Sequence, residues 1–364
     1  MTELDELARR FRAFGAETAK RAPLYSRLAE RIADDPSTYR LLLHAPDEQR
    51  LPVLLFACVH LLLLTEPDQP LARYYPNLTA DVDATDPYPA FRQFCAAHEG
   101  RLAGLLGTRS TQTNEVGRCA MLIPALGLVA GEVGPVALID VGSSGGLNLL
   151  VDRYEYHYEP GGAVGGPSPV VLTCGTRGDV PIPDHCPTVA ARIGLDRSPI
   201  DLTDPDAARW LEACVWPDQA DRFHRLHAAI GMAQHDAPVV RAGDAVEDLA
   251  DTIAVVAAPG HPVVLNTWVL NYLSDEQRRE YVAELDRLGG SFDLSWIYAE
   301  MPALVNGIPV PDDPDREHRT VVSLIRWRDG VRTVEHMADA HPHGFWMHWR
   351  LTGPATSTPA RRRL

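Results

Sequence analysis

The first hundred residues carry apolar side chains at the spacing of amphipathic helices. In residues 3–19 the apolar positions form one helical stripe, made of Leu4, Leu7, Phe11 and Phe14. A proline-rich connection over 66–90 and a further helix over 90–106 follow. The apolar run 51–64 has 14 residues, fewer than the about 20 that a membrane span needs. We therefore expect that run to be a buried core helix.

From residue 111 the pattern changes to short apolar runs separated by helical segments. Runs typical of strands occupy 136–141, 188–195, 237–241, 261–266, 292–299 and 320–327. Strands that alternate with helices predict a parallel sheet with crossovers. Asp329-Gly330, between two apolar runs, predicts a hairpin and thus an antiparallel last strand. The pattern indicates an α/β fold, with an all-helical N-terminal domain over 1–110 and a sheet domain over 111–364.

Composition and charge narrow the possible partners. The chain is 45% hydrophobic and 23% charged, with a net charge of −15, which disfavours general nucleic-acid or membrane binding. We therefore expect a small-molecule substrate. The six cysteines form no C-x-x-C pair and no signal peptide is recognisable, so we expect a cytoplasmic protein. His341, His343, His348 and Asp339 lack a fixed ligand spacing, so we expect no metal site.

Residues 136–148 join an apolar strand to a turn rich in glycine and serine. Asp140 closes the strand, and the turn consists of Gly142, Ser143, Ser144, Gly145 and Gly146. A helix that begins after such a turn directs its free backbone N–H groups at a ligand. The turn lacks the G-x-G-x-x-G spacing of a dinucleotide site. On these residues alone, a tight connection without a ligand remains an alternative to a ligand crevice.

Three further polar residues follow predicted strands in the same way. Asp196 follows Arg-Ile-Gly-Leu, Asp244 follows Val-Val-Arg-Ala-Gly, and Asn266 follows Pro-Val-Val-Leu. The carboxyl ends of parallel strands share one edge of the sheet, where ligands bind. An ordinary helix N-cap is the alternative for each aspartate.

Together these motifs resemble those of class I S-adenosylmethionine-dependent methyltransferases over residues 111 to about 350. The matching motifs are Asp140-x-Gly142-x-x-x-Gly146, Gly-Leu-Asp196, Gly-Asp244-Ala and the block from Asn266 to Gly290. The segment TQTNEVGR and the helical first half also resemble DUF2332, a family of actinobacterial proteins. The first resemblance implies a Rossmann-like methyltransferase sheet and S-adenosyl-L-methionine as the cofactor.

The resemblance also implies residue roles. The glycine and serine turn would pass the methionine part of the cofactor, with Asp140 at its amino group and Asn148 close by. Asp196 would take the ribose hydroxyls, and Asp244 the adenine amine beside the N–H of Ala245. The floor on which the methyl group meets its acceptor would be formed by Asn266, Thr267 and Trp268.

Other side chains are candidates for catalysis or substrate contact. Tyr154 is a candidate to stack on the sulfonium cation, with a core tyrosine as the alternative. Glu300, at the end of a predicted strand, is a candidate base for the acceptor. Three residues are candidates for substrate contact or a domain interface, with a capped helix start as the alternative: Asn114, Glu115 and Arg118.

The sequence departs from the methyltransferase pattern in two places. Ser144 stands where that family most often has glycine, and 56 residues separate Asp140 from Asp196, where about 20 are expected. An insertion at about 155–187, rich in glycine and proline, fits a hairpin or a lid over the site.

The sequence therefore predicts a methyltransferase that acts on a small molecule. One alternative keeps the cofactor but releases methylthioadenosine, by cyclisation or by aminocarboxypropyl transfer. A second alternative is a non-catalytic binding module on a degenerate methyltransferase fold.

Overall fold

The computed structural model describes residues 2–310 and 319–350. The α-helices are α1 Glu3–Thr18, α2 Pro23–Ile32, α3 Pro36–Tyr39, α4 Pro52–Thr65, α5 Tyr88–Ala97, α6 Glu99–Thr108, α7 Cys119–Val133, α8 Pro205–Ala213, α9 Ala220–His235, α10 Leu249–Val256 and α11 Asp275–Gly289. The strands are β1 Val136–Val141, β2 Glu155–Glu159, β3 Gly162–Val164, β4 Val171–Arg177, β5 Val189–Asp196, β6 Val240–Ala242, β7 His261–Thr267, β8 Leu294–Glu300, β9 Thr320–Arg328, β10 Val331–Ala340 and β11 Trp346–Trp349.

The chain forms two compact units, and their boundaries differ from the predicted ones. The first unit contains the chain up to Asn114 together with Leu202–His227, and the second contains Glu115–Asp201 and the chain from Ala228 onward. The sequence predicts that 202–227 belong to the sheet domain, whereas the structure places these residues with the helical unit. Trp210 and Ala213 on α8 belong to the helical core. Because both side chains sit on an ordinary amphipathic helix, their pattern does not reveal which core they join.

The helical unit is built around α4, whose apolar side chains are almost all buried. The prediction of a buried core helix over 51–64 is therefore confirmed. Phe56 of α4 stacks on Tyr25 with ring centroids 4.3 Å apart. The one polar ring in this helix, His60, is fully buried, and its Nδ1 lies 3.0 Å from the carbonyl oxygen of Ala213. Its other nitrogen lies 2.9 Å from Nδ2 of Asn77, so the imidazole is accommodated without an unpaired polar atom.

The second unit contains one mixed sheet, with the strand order β3-β2-β4-β11-β10-β9-β8-β7-β1-β5-β6. Strands β6, β5, β1, β7 and β8 are mutually parallel. In chain order, the first three of these strands are β1, β5 and β6, and each lies beside the previous one toward one edge of the sheet. The chain then returns, and β7 lies on the other side of β1. Side chains of β1 and β8 are buried on both faces, which explains their continuous apolar sequences. The topological switch point lies between β1 and β7, where open sheets of this kind place their ligands.

The predicted hairpin is present, but it does not end the sheet. Asp329 and Gly330 join β9 to β10, both with positive φ, at 50° and 73°, as a two-residue turn of this kind requires. Strand β9 runs antiparallel to β8. Beyond β10 the sheet continues through β11, β4, β2 and β3. The predicted antiparallel strand is therefore present as β9, but it does not lie at the edge of the sheet; the last described strand in chain order, β11, is antiparallel to β10.

The segment 155–187 accounts for this difference. It supplies β2, β3 and β4, and β4 pairs in parallel with β11. The predicted hairpin is formed by β2 and β3. The segment extends the sheet rather than forming a lid, because its backbone groups are taken up by neighbouring strands.

One described helical stretch, Val116–Val133, is long and apolar enough to cross a membrane, and 67% of it is buried. A single helix of this kind is weak evidence for a membrane span, since the core helix of a globular protein passes the same test.

Candidate functional site

The glycine and serine turn between β1 and the following helix is shaped by contacts within the protein. Gly142, Ser144 and Gly146 all have positive φ, at 77°, 52° and 73°. A Cβ added to Gly142 would lie 2.1 Å from Cγ2 of Val269, so glycine is required there by packing. The backbone N–H of Ser144 donates to Oδ2 of Asp196 at 2.7 Å. The turn is thus held to the end of β5 by a charge-assisted hydrogen bond.

The helix that follows this turn differs from the predicted one. Leu147–Arg153 is a short 3-10 helix with a non-helical kink at Leu150 rather than a regular α-helix. Its macrodipole is therefore weaker than that of an α-helix of ordinary length. What this segment does place at the site is Asn148, whose Nδ2 donates to Oγ1 of Thr267 at 3.1 Å.

Asp140 lies at the switch point and is only 1% exposed. Its Oδ2 has no hydrogen-bond partner within residues 2–310 and 319–350. Burial raises the pKa of this carboxyl to about 8; the charge of Asp196 adds to the rise, and Arg118 opposes it. Oγ of Ser143, in the adjacent turn, is also buried and lacks a partner in the described chain. These two side chains therefore present unsatisfied polar atoms at one place.

Glu300, at the end of β8, is a second buried carboxyl at the same sheet edge. Its Oε1 accepts from the backbone N–H groups of Val269 and Leu270 at 2.8 and 3.2 Å. Its Oε2 finds no partner among the residues described. Burial raises the pKa of Glu300 to about 7, against the lowering effect of those hydrogen bonds. A carboxyl with its pKa near neutrality is suited to accept or donate a proton.

The end of β7 carries three of the predicted site residues. Asn266 is fully buried, and its Oδ1 accepts from Tyr281 Oη at 2.8 Å and Trp296 Nε1 at 2.6 Å. Oδ1 thus joins β7 to α11 and β8, whereas Nδ2 is buried with no partner among the described residues. Trp268 has a φ of 60°, and its indole N–H donates to Oγ1 of Thr320 at 2.7 Å. This unusual backbone conformation for a tryptophan marks the chain's turn away from the sheet at the site.

The segment before α7 brings Arg118 to the same edge. Its Nε donates to the carbonyl oxygen of Pro342 at 3.0 Å, and its Nη1 donates to that of Thr267 at 2.9 Å. The guanidinium also lies 5.7 Å from the ring centroid of Trp268. Glu115 accepts from the N–H of Gly117 through Oε1 at 2.9 Å. Of the three residues predicted here, Asn114 falls in the first unit and the other two in the second.

Asp196 and Asp244 have ordinary structural contacts. Each oxygen of Asp196 accepts one backbone N–H, from Ser144 at 2.7 Å and from Ser198 at 2.8 Å. Oδ1 of Asp244 accepts from Val246 at 2.8 Å, and its Oδ2 forms an ion pair with Arg197 at 2.9 Å. These hydrogen bonds lower the pKa of Asp244. Asp244 therefore closes the turn before α10, but it is not the helix N-cap that the sequence offered as the alternative, because the N-cap of α10 is Asp248.

Two other predicted residues are part of the core. Tyr154 is fully buried, and its hydroxyl donates to the carbonyl oxygen of Leu147 at 2.7 Å. Its ring therefore has no face available to stack on a ligand, and the core alternative is correct. Ala245 packs, partly buried, against the apolar cluster around α10 and α11.

From the sequence, His343 is a candidate only as a metal ligand. In the structure, its Nδ1 lies 3.2 Å from Oε2 of Glu115. No spacing rule connects two residues so far apart in the chain, so no local signal identifies this pair. Within the described ranges no group of three metal-ligating side chains is found.

Comparison with protein families places the chain in one of them. A family described as an uncharacterized protein conserved in bacteria, DUF2332, matches residues 8–349. The chain belongs to the DUF2332 family. Among curated proteins, none matches the sequence. Membership confirms the second resemblance drawn from the sequence, while the methyltransferase resemblance stays a prediction.

Proposed function

We propose that this DUF2332 protein binds S-adenosylmethionine at the switch point and transfers its methyl group to a small-molecule acceptor. The observation that carries the proposal is Asp140, a buried carboxyl with an unpartnered oxygen at the end of the central strand. A buried carboxylate without a partner is unfavourable, whereas a ligand ammonium group would satisfy it. Five parallel strands in the order β6-β5-β1-β7-β8 support a Rossmann-like interpretation of this edge.

The residues fit the two halves of the cofactor unequally. Asp140 would hold the ammonium group of the methionine half, with Ser143 next to it. Each oxygen of Asp196 accepts one N–H and keeps a second lone pair for a ribose hydroxyl. Asp244 has its carboxylate engaged by backbone and by Arg197, so we assign it no contact with adenine.

The bound cofactor would supply an electrophilic methyl carbon on a cationic sulfur. The protein's part is to orient the two reactants in line and to exclude water. Glu300 adds a buried carboxyl at the same edge, where its negative form would favour a cation. The acidic net charge of −15 supports a small acceptor over a nucleic acid.

Calorimetry with S-adenosylmethionine tests this proposal directly. At pH 7 the free Asp140 carboxyl, with its pKa at about 8, is mostly protonated. Capture of an ammonium group needs the carboxylate, so binding is expected to release close to one proton, visible as a buffer-dependent binding heat. Asp140→Asn is expected to remove most of this release, leaving only what Glu300 contributes, and to weaken binding, whereas Asp251→Asn, an exposed residue on α10, is expected to leave both unchanged.

Product analysis separates the alternatives. S-adenosylhomocysteine as the product supports methyl transfer. Methylthioadenosine as the product would instead indicate cyclisation or aminocarboxypropyl transfer. Absence of binding at millimolar concentration would contradict the cofactor assignment and favour a binding module.

A further inference from the structure

Glu115 and His343 form a close carboxylate–imidazole contact that the proposed function does not use. The Glu115 side chain is 2% exposed and the His343 side chain 22%, with Oε2 and Nδ1 3.2 Å apart. The other oxygen of Glu115 is fixed by the N–H of Gly117 at 2.9 Å. The carboxylate is therefore held in place while the imidazole remains partly accessible.

The backbones that carry the two residues approach each other through facing glycines. A Cβ at Gly344 would lie 2.0 Å from the carbonyl oxygen of Gly117, and one at Gly117 would lie 2.5 Å from that of His343. Gly344 also has a φ of 73°. Any other residue at either position would separate the segments, so this close approach depends on glycine at both sites.

The carboxylate also biases the tautomer of the imidazole ring. Oε2 and Nδ1 lie at ion-pair distance without the geometry of a hydrogen bond, and the negative charge beside Nδ1 favours the hydrogen on Nδ1, with Nε2 as the basic nitrogen. The backbone N–H of His343 donates to Nδ1 of His341 at 3.0 Å. Charged or titratable groups close to the ring in the described chain include Glu115, and His341 from its own loop. A base beside a buried carboxylate is the arrangement used to activate hydroxyl groups.

This pair lies at the same sheet edge as Asp140 and Glu300. Strand β10 runs in the direction of β8, because β9 is antiparallel to both. The loop after β10 therefore emerges where β8 ends. The guanidinium of Arg118 links the loop after β10 to the end of β7, since it donates to the carbonyl oxygens of Pro342 and Thr267.

The surroundings of the pair indicate the kind of acceptor. The ring of His341 stacks on Phe345 with centroids 4.7 Å apart, and Phe345 is 45% exposed. An exposed aromatic ring next to a base suits an acceptor with an aromatic body. The hydroxyl on such a body is phenolic, with a pKa of about 10, within reach of a histidine base.

We propose that His343 is the general base of the transfer, that Glu115 is its positioning residue, and that the acceptor is a phenolic hydroxyl; this rests on the proposed function. His343 takes the hydroxyl proton on Nε2 as the phenolic oxygen forms its bond to the methyl carbon. The carbon–sulfur bond breaks and its electron pair stays on sulfur, which becomes neutral. The positive charge passes to the imidazolium, which Glu115 stabilises, and the proton then leaves to solvent.

The pair itself is tested by NMR on the full chain without any ligand. The 14 histidines are labelled at Cε1, and His343 is assigned from the signal lost in His343→Gln. Glu115→Gln keeps an oxygen for the N–H of Gly117, and it is expected to lower the pKa of His343 by about 1, a tenfold loss of proton affinity. Glu212→Gln is the matched control, because Glu212 contacts His227 at 2.6 Å. An unchanged His343 pKa in Glu115→Gln would overturn the pair.

The catalytic role is tested with two acceptors that differ in acidity. Phenol needs a base, whereas 4-nitrophenol is largely ionised at mildly alkaline pH. His343→Gln is expected to slow transfer to phenol by about 100-fold or more and to affect 4-nitrophenol much less. Equal loss with both probes would refute the base role, and no transfer to either by the wild type would refute the phenolic acceptor.

Calorimetry distinguishes a failure of this inference from a failure of the proposed function. His343→Gln and Glu115→Gln are expected to bind S-adenosylmethionine like the wild type, since neither is assigned to the cofactor. If the wild type binds no S-adenosylmethionine, the proposed function fails whatever the histidine titration shows. If it binds and the titration is unchanged, only the pair fails.

Discussion

Replacing Glu300 with glutamine isolates the energetic effect of a buried carboxyl at the site. Glutamine keeps an oxygen for the two backbone N–H groups that Oε1 accepts in the wild type. It removes the ability to ionise and replaces Oε2 with an amide NH2 group, a change whose effect does not depend on pH. The comparison therefore measures what ionisation of this group does to stability, with the packing of β8 nearly unchanged.

The magnitude and sign follow from the pKa of Glu300, which burial raises from 4.5 to about 7. Between those values the folded chain keeps a proton that the unfolded chain loses, so the free energy of unfolding falls as pH rises. The stabilising effect is fully present below pH 4.5 and is lost as pH passes through about 7. The raised pKa corresponds to a loss of roughly 3 kcal/mol. Glu300→Gln is expected not to show this loss.

Native-state hydrogen exchange of β8 amides, corrected for intrinsic rates, measures this in the sheet unit alone. Protection of Ile297 and Tyr298 is expected to be similar in both proteins at pH 5 and greater in Glu300→Gln at pH 8. Asp140 also titrates, but it is common to both proteins and cancels in the difference. Glu276→Gln, an exposed residue on α11, serves as the control. A difference that does not change with pH would refute the raised pKa.

Two further predictions concern a close backbone approach and an ion pair, and each has a companion substitution. Gly142→Ala places a Cβ 2.1 Å from a valine side chain at a φ of 77°, so we expect a loss of about 3 kcal/mol or more. Gly131→Ala lies on α7, where an added Cβ has nothing within 4 Å, and it should instead raise the free energy of unfolding by up to about 1 kcal/mol. Equal melting temperatures of the Gly142→Ala and Gly131→Ala variants would contradict this. Asp152→Ala leaves Arg192, bonded to both its oxygens at 2.7 and 2.9 Å, without its carboxylate and should cost about 3 kcal/mol in urea unfolding. Adding Arg192→Met to the Asp152→Ala variant should recover part of the lost free energy of unfolding. If none is recovered, the two residues are not energetically coupled.

The central strands were predictable because parallel strands buried on both faces are continuous apolar runs. The run 136–141 coincides with β1, and 261–266 falls within β7. The hairpin at Asp329-Gly330 was predictable because both positions need positive φ.

The far half of the sheet was not predictable from local pattern. In β4 the side chains alternate between buried and exposed, and its partner β11 pairs Trp346 with Gly175. A pairing between residues so distant in sequence leaves no periodic signal in either one. The predicted helix over 90–106 likewise divides into α5 and α6 around His98.

The site shows a different limit of sequence reasoning. Aspartate at a strand end is equally suited to bind a ligand and to accept the N–H groups of a turn. Asp244 makes the second kind of contact, and Asp196 does so as well. Asp140 differs because it is buried with one oxygen unpartnered in the described chain. The three residues differ in their burial and in their hydrogen-bond partners, and the local sequence predicts neither property.

Asp140 and Glu300 carry an energetic argument that the other acids do not. At neutral pH each has a raised pKa, so each makes the folded state less stable than an amide in the same place would. Both lie at the carboxyl edge of the parallel strands, and each retains an oxygen without a partner in the residues described. At Glu300, packing does not require a carboxyl, since an amide can accept the same backbone N–H groups. A ligand that favours the ionised form would recover the lost stability on binding, so the disfavoured charge points to a cationic ligand at this edge.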